Sequence, residues 1–454
     1  MEEKRLVLDI EQKPKKIRRW LLFATQHFLA MIVACITVPI ITGLPIDATI
    51  VAAGIGTLFY ILVTRGKSPV FLSSSFAYIA PMLSALALGD EIAKNNLLAV
   101  IIGMGIVGVV YVIVALIVKF VGTKWLDKLL PPIVIGPVIM VIGLGLSASA
   151  VGNLSTTANN YNIVGIAVGL VAMLVTALVA HFGKGTVKLV PFVVGLGAGY
   201  VLAAGLTAIG NAADIEILKL INFTPLKEAF SPVKFESFLH LPDFLFLKNM
   251  TSQFNASQIP TIILLFAPVS FVTICEHIGD HKNLGNIVGR DLLKEPGLTR
   301  TLIGDGVATS ISGILCGAAN TTYGENTAVV GVTKIASTAV IGGAALLSVF
   351  VGFFTPFTAF VETIPGSIMG GVSLLLYGFI AASGMKMLIN ERIDLGVNRN
   401  IFVVAVILVA GIGGLVLRVG VVEITSTAVA MILGILLNLI LNPKKEAKME
   451  DYDV

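Results

Sequence analysis

The stretch ANTTYGENTAVV, residues 319–330, is polar and contains glycine, yet apolar sequence flanks it on both sides. It reads neither as a regular spanning helix nor as a solvated loop. Backbone that leaves the helical path at membrane depth is tolerated only where protein or a water-filled cavity satisfies its N–H and C=O groups. A second stretch, FLSSSFAYIAPM at 71–82, carries three serines and a proline in a similar setting. Short, interrupted, polar segments at corresponding places in two halves point to a transporter's binding site.

The surroundings of both stretches are built for lipid. Of 454 residues 56% are hydrophobic and 13% charged, with a mean hydropathy of +0.94, whereas a soluble chain carries about 25% charged residues. Apolar runs of roughly 17–25 residues, enough to cross about 30 Å of hydrocarbon, recur as far as position 441. The fold class expected is all-α and polytopic. Fourteen segments are predicted, at about 18–41, 46–64, 69–88, 97–118, 131–150, 161–181, 187–206, 257–280, 301–316, 323–340, 341–361, 366–386, 401–417 and 422–441.

Positive charge supports that number. Lys4 to Arg19 precede segment 1, Arg65 and Lys67 follow segment 2, and Lys119, Lys124 and Lys128 follow segment 4. Lys184, then Lys282 to Arg300, Lys334, then Lys386 to Arg399, and Lys444 to Lys448 continue the series. All fall on one side if the segments are fourteen, and the uncharged loop 151–160 and long loop 207–256 fall on the other. Both termini are therefore expected in the cytoplasm, in a multi-pass protein of the inner (cytoplasmic) membrane. No cleavable signal peptide is expected, because the first 20 residues are highly charged and no A-x-A site follows. Cys35, Cys275 and Cys316 all lie in apolar runs and read as packing residues. The net charge of +4 belongs to the loops, and no nucleic-acid motif is present. Membrane lipid is the expected surrounding partner.

The two polar stretches belong to a repeat. Gln26-His27 and Glu276-His277 are 250 positions apart, and the same offset lays Ser73 to Tyr78 over Tyr323 to Ala328. Pro131, Gly136 and Val138 match Pro365, Gly370 and Val372 at an offset of 234, so one deletion of sixteen residues reconciles the two. Seven segments per repeat is odd, which inverts one repeat relative to the other.

The charges inside these segments need a reason. FVTICEHIGD, residues 271–280, places Glu276, His277 and Asp280 in an apolar helix, where each acid costs about 2.5–3.5 kcal/mol. Four residues apart, Glu276 and Asp280 share a helix face with roughly 5–6 Å between Cβ atoms. Two carboxylates that close and out of water cannot both stay ionised cheaply, so one is expected to hold a proton, which suits proton coupling. Alternatively Asp280 sits in a solvated exit near Lys282. His277 faces elsewhere and reads as a packing histidine. Glu325 follows Tyr323-Gly324 at the expected start of a half-helix, where unsatisfied N–H groups attract oxygen ligands. Acceptor carboxylates beside N–H donors match a flat ligand with alternating C=O and N–H groups, such as a nucleobase; capping alone would also explain Glu325. Phe76 and Tyr323 either stack on that ring or serve as core. Gln26, His27 and Asn326 are candidates for buried polar support.

The blocks EHIGD (276–280), NTTYGEN (320–326) and SSSFAYIAP (73–81), with TQHFLAM (25–31), GTLFY (56–60) and GGVSLLLYG (370–378), resemble the bacterial uracil permeases of the nucleobase:cation symporter-2, or nucleobase–ascorbate transporter, family. The resemblance covers nearly the whole chain. The family signature reads ENTAVVGVTK here, with Glu325, Asn326, Thr333 and Lys334 in place and Ala328 where glycine is usual. Asp280 is a second departure, since histidine can occupy that place in uracil permeases.

The resemblance implies fourteen segments in two inverted seven-segment repeats, with segments 3 and 10 broken by short strands. It implies a cytoplasmic tail 1–17, a core domain of 18–128 (segments 1–4) and 257–361 (segments 8–11), and a gate domain of 129–206 (segments 5–7) and 362–441 (segments 12–14). An extracytoplasmic loop 207–256 and a cytoplasmic tail 442–454 complete the chain. Uracil would be bound by Glu276, Glu325 and backbone amides near Phe76 and Gly324, with Tyr323 lining the site. Asp280 and Glu276 would handle the coupling proton, no cofactor would be needed, and a homodimer could form through the gate domain. Xanthine or uric acid is the alternative cargo. An anion carrier on the same architecture fits worse, because Glu325 would repel an anion, and no nucleophile–base pair, phosphate loop or metal cluster indicates an enzyme.

Overall fold

Proline, glycine and the polar stretches divide the apolar runs into helices whose ends can be followed one by one. A computed structural model describes residues 6–88, 96–157, 160–242, 244, 255–419 and 422–441. Lys4, Arg5, part of the long loop (243 and 245–254) and the expected tail 442–454 with Lys444, Lys445 and Lys448 lie outside the described residues.

The first half contains α1 (Ile17–Thr42), α2 (Ile46–Val63), α3 (Ile79–Leu86), α4 (Leu97–Val121), α5 (Lys124–Leu129), α6 (Pro132–Gly145), α7 (Ser147–Ser155), α8 (Ile163–Phe182), α9 (Pro191–Ala213) and, in the long loop, α10 (Thr224–Phe230). The second contains α11 (Ile259–Val288), α12 (Leu298–Ile314), α13 (Gly324–Thr333), α14 (Thr338–Gly352), α15 (Thr355–Glu362), α16 (Gly366–Asn390), α17 (Asn398–Ile412) and α18 (Ser426–Leu441). Strand β1 (Leu72–Ser74) precedes α3, the hairpin β2 (Thr156–Thr157) and β3 (Asn160–Tyr161) precedes α8, β4 (Asn320–Thr322) precedes α13, and the hairpin β5 (Leu417–Val419) and β6 (Val422–Ile424) precedes α18. Eight helices among the described residues are long and apolar enough to cross a membrane. The protein is a mostly helical, multi-pass membrane protein.

The two polar stretches meet. β1 and β4 pair antiparallel, with Leu72 opposite Thr322, Ser73 opposite Thr321 and Ser74 opposite Asn320. Each strand satisfies the other's backbone groups in the interior, which removes the cost of breaking a helix there. Packing around this pair repeats between halves. α2 packs on α14 while its counterpart α12 packs on α4, and α1 lies on α14 as α11 lies on α4. Farther along, α8 lies on α9 as α17 lies on α18, and α6 meets α16. Small residues permit the closest approaches: a Cβ added to Gly306 on α12 would come within 2.3 Å of the Tyr111 Cβ on α4.

Several predicted boundaries are corrected. Segment 5 is two helices, α6 and α7, parted at Leu146. Segment 10 ends at Thr333 rather than 340, because Lys334 takes a left-handed conformation (φ 59°). Segment 11 begins at Thr338 and is split from α15 by Phe354, which is extended and forms an isolated β-bridge with Leu239. Hydropathy cannot register breaks whose backbone groups are satisfied by distant chain.

The end of α13 shows why. Val7 N–H donates to Lys334 O at 2.8 Å, Ala336 N–H to Leu8 O at 2.8 Å and Thr338 N–H to Ile10 O at 2.9 Å. The described part of the expected 1–17 tail is thus docked. Ile10 is 1% exposed and joins a small core with Tyr60, Val70, Leu284, Val288 and Val330. Ile10→Ala should cost on the order of a few kcal/mol of packing and lower the melting temperature of the purified protein. An unchanged melting curve would mean that residues 6–12 contribute no stability.

Candidate functional site

Residues from four elements converge where the broken segments meet. β1 leads into a 3-10 turn, Phe76–Tyr78, and then α3, while β4 leads through Tyr323 into α13. Neither N-cap residue, Ser75 or Tyr323, makes a side-chain cap. Two short helices therefore begin beside the strand pair with their N-terminal ends uncapped by side chains, a setting that favours oxygen ligands. Glu325 occupies the first turn of α13.

Across from this junction, α11 presents Glu276 and Asp280. Both are partly exposed, as is Glu325, and Gly324 is exposed, although neighbouring His277, Thr322 and Asn326 are buried. Partial exposure of carboxyls inside an apolar helix means that they line an opening rather than the core. The Asp280 carboxyl lies at the start of α13: a Cβ added to Gly324 would sit 3.5 Å from Asp280 Oδ1. Thr322 Oγ1, at the end of β4, donates to Asp280 Oδ2 at 3.0 Å. Glu276 is within electrostatic reach of Asp280, Glu325 and Asp305. Four acids thus share one region of the interior.

The predicted aromatic residues are buried and belong to the main hydrophobic core beside the junction. Phe76 and Tyr323 are 8% and 6% exposed, so both are nearly enclosed by protein. Phe76 meets Tyr377 of α16 edge to face, with ring centroids 5.8 Å apart. Tyr377, which sequence reasoning did not single out, brings a second helix group to the site. Its only sequence signal was a tyrosine within the family block 370–378.

The supporting polar residues connect segments 1, 3 and 10. Asn326 Nδ2 donates to Pro69 O at 3.0 Å, which turns its Oδ1 toward His27 Nδ1, 2.7 Å away. That ring nitrogen must donate, because an amide oxygen only accepts. Gln26 is buried beside His27 on α1.

His277 is buried, as expected of a packing histidine, and it has an acidic partner. Its Nδ1 lies 2.8 Å from Asp305 Oδ2, with both side chains fully buried, while its Nε2 has no hydrogen-bond partner among the described residues. Asp305 was missed, although an acid in the middle of the apolar run 301–316 was signal enough. The His277 ring stacks on that of His281, with centroids 4.1 Å apart. The His281 Nε2 reaches Tyr60 Oη at 2.7 Å. Ser75 Oγ and Thr321 Oγ1 are also buried without a partner among the described residues. Unmet polar atoms gathered at one junction are a place where a polar ligand or water gains hydrogen bonds.

Comparison with known proteins adds the following. A family model described as "Permease family" matches residues 18–440. The uracil permease of Bacillus caldolyticus is 40% identical over 445 residues, covering 97% of this chain and 96% of that protein. The uracil permease of Bacillus subtilis is 37% identical, covering 99% and 98%, and that of Escherichia coli K12 is 34% identical, covering 96% and 94%. Among solved structures, the transmembrane domain of a cyanobacterial bicarbonate transporter, BicA, superposes with a TM-score of 0.62 at 14% identity, covering 95% of this chain and 99% of that one. The murine Slc26a9 anion transporter superposes with a TM-score of 0.64 at 11% identity, covering 95% and 69%. At such identities the last two likenesses speak for the fold alone.

Proposed function

The chain belongs to the permease family, and from that premise we propose that it imports uracil across the cytoplasmic membrane by symport with protons. The observation that carries the reading is the junction itself: Glu276 and Glu325 as acceptors beside the backbone donors at Phe76 and Gly324. Uracil alternates ring N–H and C=O groups, so two carboxyls and two amides can meet its whole polar edge, and Phe76, Tyr323 and Tyr377 offer flat apolar faces. Uracil permeases at 34–40% identity over nearly the full length support the same cargo.

The proton has a natural place at Asp280 and Glu276. Asp280 lies near Gly324 and takes a hydrogen bond from Thr322, so its charge state bears directly on the end of β4 and the start of α13. Protonation relieves repulsion among the clustered acids before an electroneutral ligand enters. Supporting groups are His27 with Asn326, and His277 with Asp305.

Movement follows from how the helices are grouped. Segments 1–4 and 8–11 act as a core that carries the site, and segments 5–7 and 12–14 as a gate. The gate packs mainly on itself through α6 with α16, α8 with α9 and α17 with α18. Rocking of gate against core would open the site alternately to each side, with Phe76 and Tyr377 at the moving boundary. The clusters of Lys and Arg support a cytoplasmic location for both termini.

The solved anion transporters share the architecture, but here Glu325 stands in the first turn of α13 with Asp280 beside its start, and these carboxyls would repel an anion. The test is uptake of radiolabelled uracil into proteoliposomes with and without an inward proton gradient. Gradient-driven accumulation supports symport; uptake indifferent to gradient and uncoupler removes the proton; no uracil uptake by folded protein turns the search to xanthine and uric acid.

A further inference from the structure

On the face away from the lysine- and arginine-rich loops, His240 of the long loop sits between two other parts of the chain. Its Nε2 is 3.0 Å from Asp47 Oδ2, at the first turn of α2. Its Nδ1 is 3.1 Å from Thr355 Oγ1, at the start of α15. The backbone joins the same parts: His240 N–H donates to Phe353 O at 3.1 Å and Thr355 N–H to Phe238 O at 3.2 Å, around the bridge between Leu239 and Phe354.

The hydrogen count at this junction is restrictive. Thr355 Oγ1 donates to Glu236 O at 2.6 Å, and a carbonyl only accepts, so the single hydroxyl proton is committed there. Toward His240 the hydroxyl offers a lone pair, and Nδ1 must carry hydrogen. Asp47 already accepts from Ala48 N–H through Oδ1 at 2.7 Å. Toward its Oδ2, Nε2 must also carry hydrogen if Asp47 is ionised. Both ring nitrogens bear hydrogen only in the imidazolium. Moving that hydrogen onto Asp47 leaves the count unchanged. The closed arrangement holds one proton more than ionised Asp47 with neutral His240.

We propose that His240, Asp47 and Thr355 form a proton-operated clasp that ties the long loop to α2 and to the turn between α14 and α15, closing when this face of the protein is acidic. The loop runs from α9 and the turn leads through α15 into α16, whereas α2 and α14 pack together elsewhere. A closed clasp therefore joins connections of both helix groups, and it restrains their relative movement whatever the cargo. The charged groups facing the histidine are Asp47 from α2 and Glu362 from the last turn of α15, which interacts with both Asp47 and His240; Glu236 of its own loop contributes its carbonyl. Because the closed form binds the extra proton, acid favours closure and base opposes it.

Hydrogen–deuterium exchange on the full-length protein reads this directly, at peptides covering 236–242 and 353–357. Labelling at about pH 5.5 and about pH 7.5, either side of the histidine reference value, is normalised for intrinsic exchange rates. The native protein should exchange about tenfold more slowly at these amides in acid, a modest coupling. His240→Gln and Asp47→Asn should remove that difference while exchange in α11 stays native, which certifies folding. Glu236→Gln, which alters only the side chain, should keep it. Equal protection of the native protein at both pH values would overturn the proposal, as would a pH difference surviving in His240→Gln or abolished by Glu362→Gln alone.

Discussion

Replacing Glu276 by glutamine is expected to lower uracil uptake by about one to two orders of magnitude, the worth of a charge-assisted hydrogen bond to a ligand in a desolvated site. Glutamine preserves the size and the helix, so the loss would not come from packing. What changes is chemistry: one of the two carboxyl oxygens becomes an NH2 group, so a single, weaker neutral oxygen is left to accept from the ligand N–H and a donor stands where the second acceptor was. Glutamine also cannot take a proton, so any accumulation that depends on Glu276 titrating disappears with it. Equilibrium binding of uracil to the purified variant separates the two. Weakened binding together with lost uptake is the expected result. Native uptake would remove Glu276 from the site, and native binding without uptake would confine it to coupling.

Asp280→Asn should behave differently. Thr322 Oγ1 can still donate to the oxygen of the substituted amide, and the strand β4 and helix α13 keep their geometry. Binding and exchange of uracil across the membrane, which need no net proton movement, should remain within about twofold of native. Accumulation driven by a proton gradient should fall at least about tenfold, because the neutral amide cannot alternate between charged and uncharged forms. Counterflow and gradient-driven uptake in the same proteoliposomes test this pair of outcomes. If both fall together, Asp280 positions the substrate instead; if neither falls, the proton travels by another carboxyl.

Much of this site was legible before folding, for local reasons. Glu276 and Asp280 are four residues apart, and helix geometry alone puts them on one face. The composition of 71–82 and 319–330 announced interrupted segments, and their equal spacing from Gln26-His27 and Glu276-His277 announced the repeat. The pairing of Ser73 with Thr321 then shows how the two interruptions satisfy each other.

Other features could not be read that way. Asp305 finds His277 28 positions away, Thr322 finds Asp280 at 42, and His240 finds Asp47 at 193. Neither partner marks the other in sequence, because each would look the same beside any acceptor. The ends of α13 and α14 likewise depend on Val7, Leu8 and Ile10, which supply hydrogen bonds from the far end of the chain. The sequence by itself determined the solvent, the helical class, the repeat and which helix face carries acids, since all of these follow from composition and periodicity within short windows. Only the tertiary structure decided which polar atoms meet, where the long apolar runs break and which carboxyls face an opening, because a buried polar group takes whatever partner packing brings within about 3 Å, and packing is a property of the whole chain.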